Sequence, residues 1–567
     1  MERVWLQHYP PGVPARVDNT VFPNLVDFLE DSFSRFRDRE AYVCMDQAVS
    51  YGEVDQASAA LGAWLQAHGI KPGDRVAVML PNVLQYPVAV AAILRIGGVV
   101  VNVNPLYSAR ELQFQLQDSG ARAIIILENF SATLERVLPE VGIEHIIVAS
   151  IGDMFEFPKD ALVNFLLRHV RKMVPAWRLP GHVRYDHAVA LGRNMTLSSP
   201  PILGSDLAVL QYTGGTTGRS KGAMLQHSAL LATVLAIDEW CKPVQAKMKS
   251  VDRYNVVCAL PLYHIFAFVT ALVSVRFGSC AILIPNPRDI GATIKALRHR
   301  KLHVFPGVNT LFNALLNHPE FASLDFSELG VTLSGGMAAQ EPVARRWLAA
   351  TGCPMAEAYG LTEIGCAATS NRFDLLEFTG TVGIPLPGID ACILDDAGGE
   401  LPAGAVGEVA LRGAQMMAGY WNRPDETAKI MAPGGWMRTG DIGSIDASGY
   451  LRILDRKKDM IIVSGFNVFP SELEEVVAAH PGVLECAAIG VPDEHSGEAV
   501  ALYVVRKDPA LDEAALRAFC ADQLTGYKRP REINFCESLP KSNVGKILRR
   551  ELREERVQCC LSSIEAK

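Results

Sequence analysis

The most informative stretch of this chain is Tyr212-Thr213-Gly214-Gly215-Thr216-Thr217-Gly218-Arg219-Ser220-Lys221-Gly222-Ala223. Glycines let a backbone bend tightly and approach a ligand closely. The freed N–H groups, the hydroxyls and the lysine can then surround phosphate oxygens. The apolar residues 207–210 come just before the loop and are typical of a strand. We therefore predict a phosphate-binding loop at the end of a sheet strand.

The loop alone leaves a second interpretation open. Because Ser220 precedes Lys221 and Gly222 follows it, the run does not match the P-loop pattern G-x-x-x-x-G-K-[ST]. It does not match G-x-G-x-x-G either. A flexible Gly/Thr loop without a ligand is the alternative, and the rest of the chain has to decide between the two.

Composition limits the classes of protein that need to be considered. The chain has 567 residues, 12 cysteines and a formal net charge of −8. This length exceeds one ordinary core, so we expect two or more domains. The mild acidity and the lack of a zinc-finger or basic-region pattern argue against nucleic-acid binding. Scattered cysteines without a CxxC pair, and an N-terminus without the apolar core of a signal peptide, favour a reducing, cytoplasmic location.

One uncharged stretch is long enough to suggest a membrane span. Residues 254–275 contain no Asp, Glu, Lys or Arg. Asn255, Pro261 and His264 interrupt the stretch, and we therefore predict a buried strand, a turn and a core helix instead.

Short apolar runs alternate with helical patterns through most of the chain. Such alternation predicts an α/β fold of layered, mostly parallel sheets with helices, in which ligands bind at the carboxyl ends of strands. We predict that residues 1–455 form this large N-terminal domain. The candidate buried strands are residues 76–80, 99–104, 123–127, 146–149, 256–260, 281–284 and 331–333.

The pattern changes after residue 455. Residues 456–458 form a charged connector, and residues 459–567 are predicted to be a small α+β C-terminal domain. Within it, Ser471 and Glu474 have the spacing of a capping box, and Asp512 is placed to cap a later helix.

The region of residues 152–201 is irregular and carries a basic amphipathic pattern. Its apolar residues Leu162, Phe165, Leu166, Leu167, Met173, Val174 and Trp177 are interleaved with Arg168, His169, Arg171 and Lys172. Such a pattern suits an anionic membrane surface. The alternative is a helix that docks on its own domain.

Further motifs follow the Gly/Thr loop in a fixed order. They are Tyr359-Gly360-Leu361-Thr362-Glu363, Trp436-Met437-Arg438-Thr439-Gly440-Asp441, Asp455-Arg456-Lys457-Lys458-Asp459 and Pro540-Lys541-Ser542-Asn543-Val544-Gly545-Lys546. In this order they resemble the adenylate-forming superfamily, which includes acyl-CoA synthetases, luciferases and peptide-synthetase adenylation domains. Together with Asn104-Pro105-Leu106-Tyr107 and Pro261-Leu262-Tyr263-His264, they are most similar to bacterial long-chain fatty acyl-CoA ligases. The resemblance extends over nearly the whole chain.

The resemblance implies a two-step reaction with Mg²⁺ as cofactor. A fatty carboxylate attacks the α-phosphorus of ATP, pyrophosphate leaves, and the thiol of CoA then displaces AMP to give a thioester. The first step gathers negative charge, so catalysis depends on positioning and on charge neutralisation. The implied partners are fatty acid, ATP and CoA, with the inner membrane surface and a second copy of the chain as further candidates.

The resemblance also implies roles for residues of the nucleotide site. The implied phosphate-binding residues are Tyr212, Thr213, Gly214, Gly215, Thr216, Thr217, Gly218 and Lys221. The implied Mg²⁺ ligands are Glu363 and Thr217, and Thr362 is expected at the α-phosphate. The purine slot is expected at Tyr359, Gly335, Gly336 and Met337. Asp441 is expected to bind the ribose, and Arg456 the ribose or a phosphate.

Lys546 and His264 are the implied catalytic residues at the carboxylate. Lys546 is expected to bridge the carboxylate and the α-phosphate, and a lysine in a Gly/Ser/Asn loop has little structural purpose. His264 is expected beside the substrate carboxylate. Its alternative is a core histidine with satisfied hydrogen bonds.

The acyl and CoA sites are implied by the same resemblance. The expected acyl-pocket residues are Val308, Thr310, Leu311 and Ala314. Lys458 is expected to be the hinge on which the small domain swings. Gly465 and Phe466 are expected beside the pantetheine channel, and Lys528 and Arg529 near the CoA phosphates.

Three alternatives stay open beside the long-chain ligase. They are an adenylating enzyme that loads a carrier protein, a medium-chain or branched acyl-CoA ligase, and a fatty-acid-binding protein with a degenerate site. In isolation, Glu363, Tyr359, Asp441 and Arg456 would each favour a structural role. Their occurrence together and in order favours an enzyme.

Overall fold

Strands of buried β-branched residues form the centre of the large domain. Residues Ala123–Leu127 read Ala-Ile-Ile-Ile-Leu and are buried along their whole length. Such side chains fit the pleated surface of a sheet that is covered on both faces. The structure is a computed structural model, and it describes residues 3–213, 220–248, 251–493, 495–542 and 545–556.

Capping boxes begin several of the helices. Ser50 and Ser108 each accept a hydrogen bond from the residue three positions on, while Glu53 and Glu111 reach back to the capping backbone. The helices with defined bounds are α1 (Leu25–Arg35), α2 (Tyr51–Ala67), α3 (Gln85–Arg95), α4 (Ala109–Ser119), α5 (Ser131–Val137), α6 (Lys159–Phe165), α7 (Tyr185–Gly192), α8 (His227–Lys247), α9 (Ile265–Arg276), α10 (Ile290–Leu297), α11 (Asn309–Leu316), α12 (Glu341–Thr351), α13 (Pro424–Ile430), α14 (Pro470–Ala478) and α15 (Glu513–Gln523).

The strands fall into parallel and antiparallel groups. The strands of the first part are β1 (Glu40–Cys44), β2 (Gln47–Ser50), β3 (Arg75–Met79), β4 (Val99–Asn102), β5 (Ala123–Leu127), β6 (His145–Ala149), β7 (Val183–Arg184), β8 (Leu207–Thr213), β9 (Lys221–Gln226), β10 (Asn255–Cys258), β11 (Cys280–Leu283), β12 (Val304–Gly307), β13 (Val331–Ser334), β14 (Met355–Tyr359), β15 (Thr369–Ser370) and β16 (Ile384–Pro385). The later strands are β17 (Ile389–Leu394), β18 (Gly407–Gly413), β19 (Met431–Ala432), β20 (Trp436–Ile445), β21 (Leu451–Arg456), β22 (Ile461–Val463), β23 (Phe466–Val468), β24 (Val483–Asp493), β25 (Gly497–Arg506) and β26 (Glu532–Cys536).

Two long sheets carry the parallel strands. One has the order β7-β6-β5-β3-β4-β8-β9 and is parallel up to β8, which pairs antiparallel with β9. The other has the order β16-β15-β14-β13-β12-β10-β11-β1-β2, with antiparallel pairs at its ends. The predicted α/β class is confirmed, and each candidate strand occurs within two residues of its expected bounds.

Helices cover both faces of the first sheet. Val76 and Val78 of β3 pack into one apolar cluster, whereas Ala77 and Met79 pack into another. Successive side chains of a strand point to opposite faces, so both faces are buried.

Antiparallel sheets follow the parallel ones. One has the order β17-β18-β20-β19, with β21 on β20. The other has the order β23-β22-β25-β24, with β26 parallel to β25. Leu473 and Val477 of α14 and Leu516 of α15 pack against this last sheet. A smaller α+β part therefore follows the large domain, as predicted, while the boundary at residues 456–458 stays a prediction.

Of the two helix caps predicted in the C-terminal part, one is confirmed and one is wrong. Asp512 caps α15 by accepting from the backbone N–H of Ala515, as predicted. The capping box at Ser471 is wrong, because α14 begins at Pro470 and has no side-chain cap. Glu474 is instead turned towards Arg549.

The uncharged stretch of residues 254–275 folds as predicted. It contains β10, a turn and α9, and the side chains of Phe268 and Val269 are buried in the core. Among the described helices, none is both long and apolar enough to cross a membrane.

Arg549 ties the C-terminal segment to the end of β21. Its guanidinium donates to Glu474 from Nε at 3.0 Å and from Nη2 at 2.7 Å, and to Asp455 from Nη1 at 3.3 Å. The side chains of Asp455 and Glu474 are only 2% and 12% exposed. Little water reaches these carboxylates, so the guanidinium is the main group that balances their charge.

We expect Arg549→Leu to lower the free energy of unfolding of the C-terminal sheet by about 3 kcal/mol, because two shielded carboxylates lose their shared cation. Arg550→Leu is the matched control, since Arg550 pairs with Glu554 at the surface. Its expected cost is about 0.5 kcal/mol or less. The free energy of unfolding of both variants is measured by urea denaturation monitored through hydrogen exchange of the amides in β24 and β25. Equal losses of stability in the two variants would contradict the role of Arg549.

Candidate active site

A cavity of about 830 Å³ opens at the carboxyl ends of the parallel strands. Thr213 ends β8, Gly335 follows β13 and Gly360 follows β14, and all three line the cavity. Ligands of open α/β sheets bind at this edge. The predicted site residues that also line it are Lys221, His264, Val308, Gly336, Met337, Tyr359, Thr362, Glu363, Arg456, Lys458 and Lys546.

Positive charge dominates the polar edge of the cavity. Among the described lining residues, the cations are Lys221, Lys429, Arg438, Arg456, Lys457, Lys458 and Lys546, and the carboxylates are Glu363 and Glu408. Cations that converge on a concave surface attract anionic ligands and raise their local concentration. This edge is suited to a polyanion.

The cavity continues from the polar edge into an apolar interior between α8, α9 and the second sheet. Its apolar lining residues include Ile237, Val244, Val256, Ile265, Val269, Val273, Val304 and Val331. One cavity therefore joins a charged entrance region to a space that favours hydrocarbon.

The expected acyl-pocket residues mostly lie outside this interior. Val308 lines the cavity, but Thr310, Leu311 and Ala314 are not among the described lining residues. These three belong to α11, where Leu311 packs in the large apolar cluster and Thr310 contacts the C-terminal part. Thr310 Oγ1 donates to the Gly545 carbonyl at 3.0 Å, and Asn313 Nδ2 donates to the Leu484 carbonyl at 3.1 Å.

Lys546 lines the cavity and lies near both Arg456 of the polar edge and His264 at the start of α9. Its backbone N–H donates to Ser542 Oγ at 3.1 Å, and the Thr310 bond holds the preceding residue. Withdrawal from water, the largest cause, and the nearby Arg456 guanidinium lower the pKa of Lys546 to about 8, whereas Asp441 acts to raise it. The lysine is therefore a cation at neutral pH whose charge can be lost within a physiological range.

His264 stands at the start of α9 beside Lys546. Its Nδ1 accepts from the Phe266 backbone N–H at 3.4 Å, which assigns the ring hydrogen to Nε2. Burial, and secondarily the Lys546 charge, lower the pKa of His264 to about 4. A neutral ring with a hydrogen on Nε2 can donate to a carboxylate oxygen in the cavity.

Asp441 is a buried carboxylate beneath the polar edge. It accepts from the Tyr359 hydroxyl at 2.6 Å and pairs with Arg456 Nε at 2.7 Å. Burial raises the pKa of Asp441 above its ordinary value, against the lowering effect of Arg456. Tyr359 and Arg456 line the cavity, whereas Asp441 is not among the described lining residues.

Glycines let two backbone turns approach the cavity. A Cβ at Gly360 would lie 1.7 Å from the Cys366 carbonyl oxygen, so the turn between β14 and the Thr362–Ile364 helical turn admits no side chain there. Gly336 has a φ of +78°, which favours glycine. Both turns therefore need glycine.

Tyr420 connects the expected metal ligand to the expected phosphate-binding lysine. Its hydroxyl donates to Glu363 Oε1 at 2.7 Å, and Lys221 Nζ lies 5.1 Å from its ring centroid. Lys221 also pairs with Glu426. A bridge to Ala223 of β9 positions Tyr420. Tyr420 and Glu426 could not be predicted from the sequence, because neither has a local pattern and both reach the site through long-range contacts.

The Gly/Thr loop is described at its two ends. Thr213 and Lys221 pair across the β8–β9 hairpin. Gly214, Gly215, Thr216, Thr217 and Gly218 lie outside the described residues. Tyr212 is buried, and its hydroxyl donates to Asp118 Oδ2 at 2.8 Å.

The expected CoA residues lie in the C-terminal part. Phe466 is 57% exposed and stacks on Tyr527 at 4.8 Å between ring centroids. Lys528 pairs with Glu472 at 2.6 Å, and Arg529 donates to the backbone carbonyls that end α15. Gly465 precedes Phe466 with a φ of +83°. None of these residues is among the described lining residues of the cavity.

Solved structures share this architecture. The anthranilate CoA ligase AuaEII in complex with anthranoyl-AMP matches 95% of this chain and 99% of its own, with a TM-score of 0.81 and 25% identity. ATP-bound MatB from Rhodopseudomonas palustris matches 94% of this chain and 99% of its own, with a TM-score of 0.79 and 29% identity.

Sequence comparisons cover nearly the whole chain as well. The long-chain-fatty-acid–CoA ligase of Escherichia coli O6:H1 is 48% identical over 557 residues, which is 98% of each chain. The AMP-binding enzyme family matches residues 29–421, and the AMP-binding enzyme C-terminal domain matches residues 472–546. On these grounds the chain belongs to the AMP-binding enzyme family, the adenylate-forming enzymes that its motifs resemble.

Proposed function

We propose that this protein is an ATP-dependent long-chain fatty acyl-CoA ligase. The observation that carries the proposal is the continuous cavity, which joins a cation-rich edge to an apolar interior, with Lys546 near both Arg456 and His264 in its lining. The relatives named long-chain-fatty-acid–CoA ligase, at 45–48% identity over 98% of the chain, support the same activity.

In the first step, a carboxylate oxygen of the fatty acid attacks the α-phosphorus of ATP. The bond to the pyrophosphate oxygen breaks, and an acyl-adenylate remains. Lys546 stabilises the charge that gathers on the carboxylate and the α-phosphate, and the neutral His264 donates to the carboxylate. The dry interior holds the chain, since each buried methylene contributes about 0.8 kcal/mol.

The nucleotide occupies the cation-rich edge. Tyr359 lies along the adenine, with the backbone of residues 335–337 on the other side of the slot. Arg456 and the buried Asp441 hold the ribose, and Thr362 contacts the α-phosphate. The β- and γ-phosphates lie at the Gly/Thr loop. Lys221, which pairs with Glu426 in the absence of ligand, binds the phosphates instead.

Mg²⁺ fits the donors at this edge. Among the described residues, no cluster of His, Cys, Asp and Glu could hold a metal alone. Magnesium in nucleotide sites uses one or two carboxylates together with phosphates and water. Glu363, positioned by Tyr420, is that carboxylate, with Thr217 as a second proposed ligand. The ion would neutralise phosphate charge.

In the second step, the sulfur of CoA attacks the acyl carbonyl and the bond to AMP breaks. Residues 456–458 act as the hinge between the domain of residues 1–455 and the lid of residues 459–567. Rotation about Lys458 brings Gly465 and Phe466 to the pantetheine channel. Lys528 and Arg529 lie near the CoA phosphates in that arrangement. No cysteine nucleophile is needed, because CoA supplies the thiol.

The test is pyrophosphate release with ATP, Mg²⁺, CoA and carboxylic acids of 8 to 18 carbons, with acyl-CoA measured in parallel. We expect Lys546→Ala to slow adenylation about a hundredfold or more, because a charge-stabilising donor is lost. The same variant should still convert preformed acyl-adenylate to acyl-CoA.

The alternatives give different results in this assay. Release without acyl-CoA, together with acylation of a phosphopantetheine protein, would indicate a carrier-loading enzyme. A preference for short or branched acids would indicate a medium-chain or branched-chain ligase. An absence of release with every acid would indicate a binding protein and overturn the proposal.

The lowered pKa of Lys546 predicts a pH dependence of adenylation. Because the charged form exists below the pKa, kcat/KM for ATP should fall as the pH rises through about 8. Arg stays charged over this range, so Lys546→Arg should be slower but lack the alkaline fall. An alkaline fall that persists in Lys546→Arg would assign it to another group.

We further propose that the segment around α6 contacts an anionic lipid surface. Its exposed apolar side chains are Phe157 (84% exposed), Leu162, Phe165, Val170 and Met173. The neighbouring His169, Arg171 and Lys172 are exposed and basic. Apolar and cationic side chains side by side suit an interface with negative headgroups.

Vesicle binding tests this contact. We expect Phe157→Ser combined with Phe165→Ser to weaken binding to vesicles with 30% phosphatidylglycerol about tenfold or more, because two apolar anchors are lost. Leu376→Ser is the matched control, since Leu376 is 74% exposed elsewhere on the surface. Equal binding of the two variants would contradict the contact.

A homodimer stays a separate prediction, and sedimentation velocity would measure whether the protein sediments as one copy or two.

A further inference from the structure

The loop that carries Lys546 is closed by its own hydrogen bonds. The Gly545 N–H donates to the Ser542 carbonyl at 2.9 Å, and the Ser542 N–H donates to the Lys546 carbonyl at 2.7 Å. The Lys546 N–H donates to Ser542 Oγ at 3.1 Å. A bridge between Lys541 and Ile547 pairs the two sides of the loop. The described residues of this loop therefore hold one another in place, and a contact made by one of them positions the others.

A hydroxyl of the large domain binds this loop next to the catalytic lysine. Thr310 Oγ1 donates to the Gly545 carbonyl at 3.0 Å. That carbonyl belongs to the planar peptide unit that also contains the nitrogen and the Cα of Lys546. Because this unit is rigid, the hydrogen bond restricts the direction in which the Lys546 side chain leaves the backbone.

The helix that carries this hydroxyl is anchored in the core. Thr310 is the second residue of α11, and Leu311, Phe312 and Leu315 of the same helix are buried in the large apolar cluster. This packing does not involve the hydroxyl, and α11 begins without a side-chain cap. The hydroxyl can therefore be removed without removing the packing that holds α11 in place.

A second contact lies on the other side of Lys546. Arg549, three residues after the lysine, donates from Nη1 to Asp455 at 3.3 Å, and the Ser471 N–H donates to the same carboxylate at 2.8 Å. Asp455 ends the part of the chain that we assign to the large domain. The segment is therefore held both before and after Lys546, so the loss of one contact should weaken the positioning of the lysine without releasing the lid.

Thr310 was expected in the acyl pocket, and the two roles predict different effects. Thr310 is not among the described lining residues of the cavity, whereas Val308 is. A residue of the acyl pocket changes the relative rates of acids of different chain length. A residue that acts through Lys546 slows every acid by the same factor, because the lysine acts on the carboxylate end that all of these acids share.

We propose that Thr310 is a positioning residue for Lys546, and that its hydroxyl holds the lysine at the carboxylate and the α-phosphate during adenylation. This inference rests on the proposed function, in which Lys546 stabilises charge in the first step. Rotation of the lid about Lys458 then moves Gly545 away from Thr310 and breaks their hydrogen bond. The hydroxyl is therefore needed for adenylation and not for the transfer to CoA.

The experiment compares Thr310→Ala with Thr310→Ser in the full-length protein, because these two variants differ from each other only by the hydroxyl. We expect pyrophosphate release with hexadecanoate to be roughly threefold to tenfold slower in Thr310→Ala, the worth of one hydrogen bond. The conversion of preformed acyl-adenylate to acyl-CoA should be equal in the two variants. Dividing the first rate by the second removes any difference in the amount of folded protein.

The same pair combined with Lys546→Ala tests whether the hydroxyl acts through the lysine. In this background, Thr310→Ala and Thr310→Ser should release pyrophosphate at rates within about twofold of each other, because the group that the hydroxyl positions is absent. A general loss of stability would instead slow Thr310→Ala by the same factor in both backgrounds.

Thr351 supplies the matched control. Its hydroxyl also donates to a main-chain carbonyl, that of Trp347 at 2.8 Å, but this bond lies within α12. Thr351→Ala and Thr351→Ser should differ less than about twofold in pyrophosphate release, because the lost hydrogen bond does not reach the lid.

The outcomes separate this inference from the proposed function. A difference between Thr310→Ala and Thr310→Ser that is present with Lys546, absent without it and equal for every chain length supports the positioning role. Equal pyrophosphate release by the two variants, or a difference that persists in Lys546→Ala or varies with chain length, would overturn that role and leave the proposed function intact. If the original protein activates no acid, the proposed function fails and this inference fails with it.

Discussion

A buried carboxylate needs partners, and the polar edge of the cavity is arranged around one. Asp441 is held by the Tyr359 hydroxyl and the Arg456 guanidinium. These two partners line the cavity, so the requirement to satisfy one buried charge also orients an aromatic ring and a cation towards the ligand. The negative charge of Asp441 also acts on Lys546 and partly offsets the lowering of the lysine's pKa that burial causes.

The division of the cavity into two environments follows from the sheet. Loops at the carboxyl ends of parallel strands are free to carry glycines, hydroxyls and cations, whereas the strands and the helices beside them are apolar. A cavity that extends from these loops into the space beside the strands and helices is therefore polar at one end and apolar at the other. The reaction needs this combination, because its two substrates differ so strongly in polarity.

Much of the architecture could be predicted from the sequence, because buried β-branched runs such as residues 123–127 signal strands locally. The motif residues could be placed at one site because the family pattern is long. The apolar interior could not be predicted. It depends on how α8 and α9 pack. Of the residues expected to line it, Leu311 packs in the large apolar cluster and Thr310 contacts the C-terminal part. The box at Ser471 failed because Pro470 already begins α14, so Ser471 lies inside the helix, and Glu474 pairs with Arg549.

The two hydrogen bonds that join α11 to the C-terminal part restrict the residues at positions 484 and 545 to different degrees. Both acceptors are main-chain carbonyls, at Leu484 and Gly545. At position 484 this bond places no demand on the side chain, because it depends on the backbone alone, although Leu484 also packs against the apolar cluster of β24 and β25. Position 545 is not, since it has a φ of +79° and a Cβ there would lie 2.7 Å from Thr310 Oγ1. Another apolar residue at position 484 can therefore keep its contact with α11, whereas the contact next to Lys546 requires glycine at position 545.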